Sequence, residues 1–471
     1  MTLAYPVSSG TRGLGWDKQT GYSSNRGDML SSAAFGHGGF TGTVLWIDPE
    51  LDLFFIFLSN RVHPTGKGSV NHLAGQIVNV VAAAITTNHQ DDPRAVPVLT
   101  GIDVLQREQF RQLAGQRVGL ITNHTGRNRA GQTTAELLHA AAEVSLVALF
   151  SPEHGFEGKL DVAKVEDSAD ATTGLKVFSL YGETRKPTPE MLASVDTLVF
   201  DIQDIGTRFY TYISTMHEAM RAAAEQGKRF VVLDRPNPIN GVDIAGPMLD
   251  AGSESFVGVH RLPVRHAMTT GELAKMLASE LKLNLDLEII RCEGWNREDF
   301  WESTNLTWVN PSPNMRSLTQ ALLYPGVGLL ETTNVSVGRG TDTPFEILGA
   351  PWIDGRQLAA DLNARYIPGC VFVPIEFTPT SSKFANQLCS GVNIAITNRE
   401  TLQPVQIGLE LASRLRSLYP DQWETKSFNR LLGNQEVFQA VIDGASLPDI
   451  LKKAAQDVDD FQRRRHGFLL Y

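Results

Sequence analysis

Residues 197–212 read TLVFDIQDIGTRFYTY, and this stretch decides the fold class. Its first six residues are mostly apolar and predict a buried β-strand, and a helical pattern of apolar residues follows near 212–226. A second helical pattern lies near 132–142. Because short strands alternate with helices, the sequence predicts an α/β fold with βαβ units and a parallel sheet. The other apolar runs of this kind occupy 118–122, 146–150 and 230–233.

The chain divides into regions of different sequence character. Residues 1–89 predict a β-hairpin from apolar runs at 42–47 and 51–58, then a helix over 69–88. A polar stretch with two prolines, 90–97, predicts a linker. The sequence predicts that residues 98–250 hold the parallel sheet and that residues 251–471 form a second, α/β or α+β domain. Its expected helices lie at 269–282, 355–366, 403–418 and 447–462, and its expected strands at 285–291, 370–376 and 391–397.

Composition excludes several classes of protein. The 471 residues are 42% hydrophobic and 20% charged, which is typical of a globular chain and excludes disordered, collagenous and coiled-coil proteins. The formal net charge of −10 argues against nucleic-acid binding, although it leaves room for a local cationic pocket. We expect no membrane span, because no apolar run reaches about 18 residues. The three scattered cysteines, best read as buried thiols, are Cys292, Cys370 and Cys389.

Polar side chains follow each of the four predicted parallel strands. The carboxyl ends of parallel strands meet at one edge of the sheet, where ligands bind in open α/β folds. A turn or a surface pair would explain each cluster alone, but the four together predict a site. The candidates are Asn123, His124, Glu153, His154, Asp201, Gln203, Asp204, Arg208, Tyr210, Tyr212, Arg235 and Asn237.

Glu153 is the sharpest catalytic candidate. A carboxyl at this edge, close to Phe156, can be partly removed from water and so stay protonated near neutral pH, as a general acid must. His154 would orient it or bind substrate, and Asp201 and Asp204 supply the second carboxylate that glycosidic cleavage usually requires. The same four side chains form a weaker alternative, a divalent-metal site. No nucleotide-binding glycine motif is present, so we expect no cofactor.

Two polar segments of the C-terminal region add candidates. Residues 310–316 include Asn314, and residues 331–341 include Asn334 and Arg339. Arg339, which lies between two glycines, can bind a carboxylate in a bidentate manner, although a surface hairpin explains the segment equally well.

Residues from about 98 to 471 resemble the exo-β-N-acetylmuramidases of glycoside hydrolase family 171. The resemblance rests on long motifs in the same order, with Ser151-Pro152-Glu153-His154-Gly155-Phe156 and Asp201-Ile202-Gln203-Asp204 among them. The others include Ile121 to Gly126, Asp234 to Pro238, Pro311 to Met315, Asn334 to Thr341 and Gly349 to Trp352.

The resemblance implies a Rossmann-like catalytic domain, a smaller auxiliary domain and an active site in the cleft between them. It implies release of N-acetylmuramic acid from the non-reducing end of peptidoglycan fragments, with Glu153 as the catalytic glutamate. Two hypotheses remain for the attacking group: water activated by Asp201 or Asp204, or the 2-acetamido oxygen of the substrate itself. The lactyl carboxylate of that sugar needs a cation, for which Arg208, Arg235 and Arg339 are the candidates. The family's secreted habit implies the periplasm or the cell exterior, although the N-terminus carries no visible export signal.

Residues from about 12 to 88 resemble the C-terminal part of class C β-lactamase-like serine hydrolases. Gly36 to Gly42 align with a Lys- or His-Thr-Gly strand, with Gly38 in place of the Thr. No SxxK nucleophile motif precedes this strand, so we expect no acyl-transfer activity. We therefore interpret this region as an inactive remnant of a fusion. A muramidase, a non-catalytic peptidoglycan-binding module and a penicillin-recognising hydrolase remain as hypotheses, in that order.

Overall fold

The computed structural model describes residues 5–7, 10–21, 23–63, 66, 68–88, 97–162 and 164–471. The chain splits into two compact units, Met1–Val96 and Pro97–Tyr471. The predicted linker over 90–97 lies outside the described residues, apart from its last position.

The described strands of the first unit form one antiparallel sheet in chain order: β1 (Tyr5–Val7), β2 (Gly10–Gly13), β3 (Trp16–Thr20), β4 (Phe35–Gly38), β5 (Val44–Asp48) and β6 (Leu53–Phe57). β5 pairs with β6, which confirms the predicted strand, turn and strand. The predicted helix is α1 (Asn71–Asn88). Buried Trp46 of β5 packs with Ala74 and Val78 of α1, and these contacts form the core of the unit.

A larger sheet organises the second unit. In chain order its strands are β7 (Arg117–Thr122), β8 (Ser145–Ser151), β9 (Ser168–Ala169), β10 (Lys176–Ser179), β11 (Thr197–Asp201), β12 (Arg229–Leu233) and β15 (Leu287–Ile290). Between β12 and β15 in the chain, β13 (Ala245–Met248) and β14 (Pro263–Arg265) pair with each other as a separate ribbon. Among the described strands the spatial order is β15-β12-β11-β7-β8-β10-β9, and all pairings are parallel except β9 with β10. The six parallel strands have the order of a doubly wound sheet. The four predicted strands of this sheet are therefore confirmed.

Helices cover the sheet because each has one apolar side. The N-terminal ends of three of them are fixed by capping boxes, in which Thr100 pairs with Asp103, Thr133 with Glu136 and Thr269 with Glu272. Residues 212–223 of the longest are almost entirely buried, since this helix packs in the main core. The helices are α2 (Gly101–Arg107), α3 (Thr134–Ala140), α4 (Tyr212–Glu225) and α5 (Thr270–Glu280).

The C-terminal part combines a small antiparallel sheet with several helices. The described strands β16 (Ile347–Ala350), β17 (Cys370–Phe377) and β18 (Cys389–Ile396) pair in the order β16-β18-β17. Their apolar faces join one continuous core with α4 and α5. The helices are α6 (Leu318–Val327), α7 (Gly355–Asn363), α8 (Pro404–Leu418), α9 (Asn429–Leu432), α10 (Gln435–Ile442), α11 (Leu447–Ala454) and α12 (Val458–His466).

Two sequence expectations are wrong in detail. The strand near 285–291 was assigned to the second domain, but β15 pairs with β12 and extends the parallel sheet. The single helix over 447–462 is two helices, because Asp457 adopts a left-handed backbone with φ of 63° between them. The division of residues 98–471 at position 250 itself stays a prediction.

Candidate active site

The site lies at the carboxyl edge of the parallel sheet. β7 and β11 are neighbours in the sheet. After β7 the chain continues to β8 on one side, and after β11 it continues to β12 on the opposite side. Such a switch point creates a crevice beyond the strand ends, where α/β proteins bind ligands. The segments that follow β8 and β11 line a cavity of about 520 Å³, together with residues between 312 and 345 and residues 430 and 431.

Glu153 lies on the wall of this cavity, directly after the end of β8. The turn that carries it is tight because His154 and Gly155 both have positive φ, 70° and 76°. For a non-glycine residue such as His154 this conformation costs energy and is often found at functional sites.

Two hydroxyl groups surround the Glu153 carboxyl. Thr211, at the start of α4, donates its hydroxyl proton to Glu153 Oε2. Burial, and then the charge of Glu153 and a hydrogen bond to it, raise the pKa of Tyr181 to about 12. The carboxyl is therefore held in place but remains partly exposed to the cavity.

His154 also lines the cavity, and its ring orientation is fixed. Nδ1 donates to the carbonyl of Leu160 at 2.6 Å, which leaves Nε2 as the second polar atom of the ring. The imidazole and the neighbouring carboxyl thus border the same cavity, as the sequence predicted.

Tyr210 and Tyr212 form an aromatic wall of the cavity. Their rings meet edge to face at 4.9 Å, and the Tyr212 hydroxyl donates to the Pro311 carbonyl at 2.5 Å. Burial raises the pKa of both hydroxyls, so both are neutral donors at physiological pH. Because Tyr210 is 7% exposed and Tyr212 is 1% exposed, the two rings shape the wall and offer a ligand little open aromatic surface.

Arg339 and Asn314 line the cavity from the C-terminal part of the chain. Arg339 binds Asp161 at 2.6 and 2.7 Å and Glu331 at 2.5 Å, and Asn314 donates to Asp161 at 3.1 Å. Burial alone would lower the pKa of Arg339, but the two carboxylates raise it. The positive charge of Arg339 is therefore already balanced inside the protein.

The other two predicted cations do not line this cavity. Arg208 is 1% exposed and donates to four backbone carbonyls, those of residues 247, 262, 431 and 432. Arg235 pairs with fully buried Asp201 at 2.5 and 2.9 Å. Both guanidinium groups therefore hold segments of the fold together and are unavailable to a ligand of Glu153.

Asp201 and Asp204, the predicted partners of Glu153, also lie off the cavity wall. Asp201 accepts hydrogen bonds from Arg235 and from the Thr134 hydroxyl. Asp204 accepts the Gly206 N–H at 2.7 Å, and burial raises the pKa of its carboxyl to about 7. Nearby His266, at 3.7 Å, is neutral because burial lowers its pKa to about 3. The second catalytic carboxylate expected from sequence has no geometric support.

The remaining candidates are engaged in loop structure. Asn123 accepts from Thr125 at 2.9 and 2.5 Å, and Gln203 donates to the carbonyls of 204 and 236. His124 Nε2 lies 2.6 Å from the carbonyl of residue 310, and burial lowers the pKa of its ring. Asn237 and Asn334 bind the backbone carbonyls of 268 and 422. Each side chain therefore fixes a loop near the sheet edge.

Sequence reasoning missed two cations of the cavity, Arg185 and Arg430. The Arg185 guanidinium stacks over Phe256 at 4.2 Å and over Tyr181 at 5.2 Å. Within the described part of the chain, neither arginine forms an ion pair with a carboxylate. Arg185 follows β10, a parallel strand that the sequence analysis did not predict, and Arg430 lies in the short helix α9, so neither belongs to a strand-end motif found from the sequence.

Three further properties concern the described residues as a whole. No three His, Cys, Asp or Glu side chains among them cluster in a way that would hold a metal ion. Their helices include none with the length and apolar character needed to cross a bilayer. All three cysteines are buried free thiols, as predicted.

Comparison with known proteins identifies the family. The family described as "Exo-beta-N-acetylmuramidase NamZ, N-terminal" matches residues 118–319, and its C-terminal counterpart matches residues 322–471. The Bacillus subtilis (strain 168) protein named "Peptidoglycan beta-N-acetylmuramidase NamZ" is 42% identical over 397 residues, which cover 83% of this chain and 96% of that protein.

The chain belongs to the NamZ family. Two crystal structures of DUF1343 family proteins from Bacteroides fragilis NCTC 9343 are similar to this chain. Their TM-scores are 0.75 and 0.65 at 39% and 31% identity, and each aligns over 99% of its own length and about four-fifths of this chain. The predicted α/β fold and the predicted NamZ-type glycosidase class are confirmed.

The first unit has a separate relationship. The family described as "Beta-lactamase" matches residues 2–79, which confirms the resemblance of this region to β-lactamase-like proteins. The matches to the two NamZ family descriptions begin beyond this unit.

Proposed function

We propose that this chain is an exo-acting glycosidase that releases N-acetylmuramic acid from the non-reducing end of peptidoglycan fragments, with Glu153 as general acid. The observation that carries the proposal is the Glu153 carboxyl on the wall of a cavity of about 520 Å³. That volume is in the range of small-ligand pockets. The named activity of the Bacillus subtilis relative supports the same substrate class.

In the proposed first step, Glu153 gives its proton to the glycosidic oxygen as the bond to the anomeric carbon breaks. Thr211 and Tyr181 stabilise the carboxylate that results, since both hydroxyls lie beside it. The two other carboxylates that line the cavity, Asp161 and Glu331, are paired with Arg339.

The absence of an unpaired second carboxylate among the described lining residues favours substrate assistance. The 2-acetamido oxygen of the muramic acid then forms the bond to the anomeric carbon. Water opens this cyclic intermediate, and its proton returns to Glu153. His154 Nε2 borders the cavity and can position the water or the acetamido group.

Arg185 is the cation that we assign to the lactyl carboxylate. It lines the cavity without an ion-pair partner among the described residues. Tyr181 lies between Arg185 and Glu153, since its ring contacts the guanidinium and its hydroxyl forms a hydrogen bond with the Glu153 carboxyl. A pyranose places its anomeric oxygen and its 3-O-lactyl group about one ring apart. Stacking on Phe256 fixes the guanidinium plane and leaves its N–H edge for a carboxylate.

The test of Glu153 is Glu153→Gln assayed on a chromogenic N-acetylmuramide and on a muramic-acid-terminated disaccharide. We expect kcat to fall by about 10²–10⁴-fold, the usual contribution of general acid catalysis. Glu157→Gln is the matched control, because Glu157 lies on the same loop, is exposed and pairs with Lys159. Full activity in Glu153→Gln, or equal losses in both variants, would reject the assignment.

Product analysis separates this proposal from a binding module. Release of free N-acetylmuramic acid from the non-reducing end supports the exo mode, whereas saccharide binding without turnover by the unaltered chain contradicts it. We further propose a periplasmic or extracellular location, because the proposed substrate lies there. Fractionation of the producing cells tests this location.

A further inference from the structure

A second cavity, of about 360 Å³, lies at the same edge of the sheet and is not lined by Glu153. Thr125, Gln203 and Arg235 line it, and they follow β7, β11 and β12. These strands flank the point where the chain direction reverses, so the cavity occupies the crevice that open α/β sheets use for ligands. The proposed glycosidase chemistry uses none of its lining residues.

The wall of this cavity is cationic. Arg127, Arg129 and Arg235 line it, and no Asp or Glu does so among the described lining residues. Arg235 is balanced by Asp201, but the described part of the chain offers neither Arg127 nor Arg129 an ion pair. In a chain of net charge −10, two guanidinium groups without an ion pair on one cavity wall indicate an anionic ligand.

Backbone carbonyls hold these two arginines in place. Arg127 donates to the carbonyl of His124 at 2.9 Å and to that of Gly131 at 2.7 Å, and Arg129 donates to the carbonyl of Val98 at 2.8 Å. A guanidinium group has five N–H donors, so both side chains keep donors for a ligand.

The surrounding charges indicate how many negative charges the ligand carries. Asp201 pairs with Arg235, and Asp103, whose charge also acts on Arg235, accepts the Arg129 backbone N–H at 2.8 Å and the Thr100 hydroxyl at 2.7 Å. Two carboxylates against three guanidinium groups leave an excess of one positive charge. A singly charged anion therefore fits better than a phosphate dianion.

The rest of the wall indicates a ring with hydroxyl groups. Trp301, Leu306 and Val309 supply an apolar side. Gln203 Oε1 and Trp301 Nε1 have no hydrogen-bond partner within the described residues, and hydroxyl groups nearby would satisfy both atoms. We propose that this cavity is a second ligand site, separate from the catalytic cavity, that binds a small sugar acid through Arg127 and Arg129.

The test is calorimetric titration of the full chain with glucuronic acid, with glucose and glucose 6-phosphate as comparison ligands. Thr307 is exposed on the wall of the cavity, so Thr307→Glu adds a negative charge there without removing an arginine. We expect glucuronic acid to bind with at least about tenfold weaker affinity to Thr307→Glu than to Thr307→Gln, its neutral isostere. Arg129→Gln should weaken binding in the same direction, and glucose should bind weakly.

Three outcomes overturn the proposal. Failure of glucuronic acid to bind at millimolar concentration would show that the chain has no such site. Equal affinity in the Thr307→Glu and Thr307→Gln variants would show that the ligand binds elsewhere. Tighter binding of glucose 6-phosphate than of glucuronic acid removes the proposed ligand class. The proposed glycosidase is unaffected by each of these results, because its test measures turnover at Glu153.

Discussion

Four arginines illustrate how the same side chain serves different purposes in this protein. Arg208 and Arg235 are buried and bonded to backbone carbonyls or to Asp201, so their role is to join segments. Arg339 borders the cavity but is balanced by two carboxylates. Arg185, like Arg430, borders it without a carboxylate partner among the described residues, and Arg185 is the one that we propose binds the substrate carboxylate.

We predict that Arg185→Gln raises KM for a chromogenic N-acetylmuramide by about 10–100-fold, the value of a hydrogen-bonded charge, with a small effect on kcat. Hydrolysis of the corresponding N-acetylglucosaminide, which lacks the lactyl group, should change little. Arg463→Gln on exposed α12 is the control. A selective loss in Arg430→Gln instead of Arg185→Gln would contradict the assignment.

Asp204 gives a prediction about pH and stability. Because burial raises its pKa in the folded protein to about 7, the folded state keeps a proton that the unfolded chain loses near pH 4. Its contribution to stability is therefore greatest below about pH 4 and falls as the pH rises to about 7.

Asp204→Asn removes this dependence, so we expect the variant to gain roughly 2 kcal/mol relative to the unaltered chain between pH 5 and pH 8. Urea unfolding at the two pH values measures the difference, with exposed Asp421→Asn as control. Parallel pH profiles for the unaltered chain and Asp204→Asn would refute the prediction.

At the scale of elements, the helices α6 and α8 touch through their backbones. A Cβ built at Gly326 would lie 1.8 Å from the Pro404 carbonyl oxygen, and one at Gly408 would lie 2.3 Å from the Gly326 carbonyl oxygen. Glycine is therefore required at both positions because the two backbones touch. This contact joins the helices behind the cavity wall that Tyr324 of α6 lines.

Gly408→Ala should therefore destabilise the second unit by about 1–3 kcal/mol, the usual cost of overpacking. Gly467→Ala is the matched control, because its Cβ would meet nothing within 4 Å and its φ is −68°. Thermal unfolding measures both variants. Equal melting temperatures would show that the helices can separate without cost.

At the scale of the whole molecule, the chain consists of two compact units with different relatives. The β-lactamase match covers residues 2–79, and the NamZ matches cover residues 118–319 and 322–471. The residues that we assign to catalysis all belong to the second unit.

A chain that begins at Pro97 should therefore fold and hydrolyse the chromogenic muramide with kcat/KM within about twofold of the full chain. The full chain should not hydrolyse nitrocefin, because no SxxK nucleophile precedes β4 in the sequence. Loss of muramidase activity in the shorter chain would make the first unit part of the enzyme.

The sequence by itself determined four of the six described parallel strands, the edge of the sheet where polar side chains gather, and the family. Hydrophobic runs of five or six residues define buried strands, and the residues after them must lie at one edge because the strands are parallel. The positions of Glu153, His154, Tyr210 and Tyr212 in the chain therefore place them at this edge, where they line the cavity. The prediction that β15 belongs to the second domain is wrong, because a run of apolar residues does not indicate which strand it will pair with, and β15 pairs with β12.

Only the tertiary structure decided which polar side chains line the cavity. From sequence, the charged side chains of Asp201, Arg208 and Arg235 look as suited to catalysis or binding as those that line the cavity. Their hydrogen-bond partners lie more than 30 residues away in the chain, so their burial cannot be read from the local sequence. Arg185 reaches the cavity because a loop from a different part of the sequence packs against Phe256. Local sequence fixes where a strand ends, whereas long-range packing fixes whether the side chain at that end meets solvent or another charge.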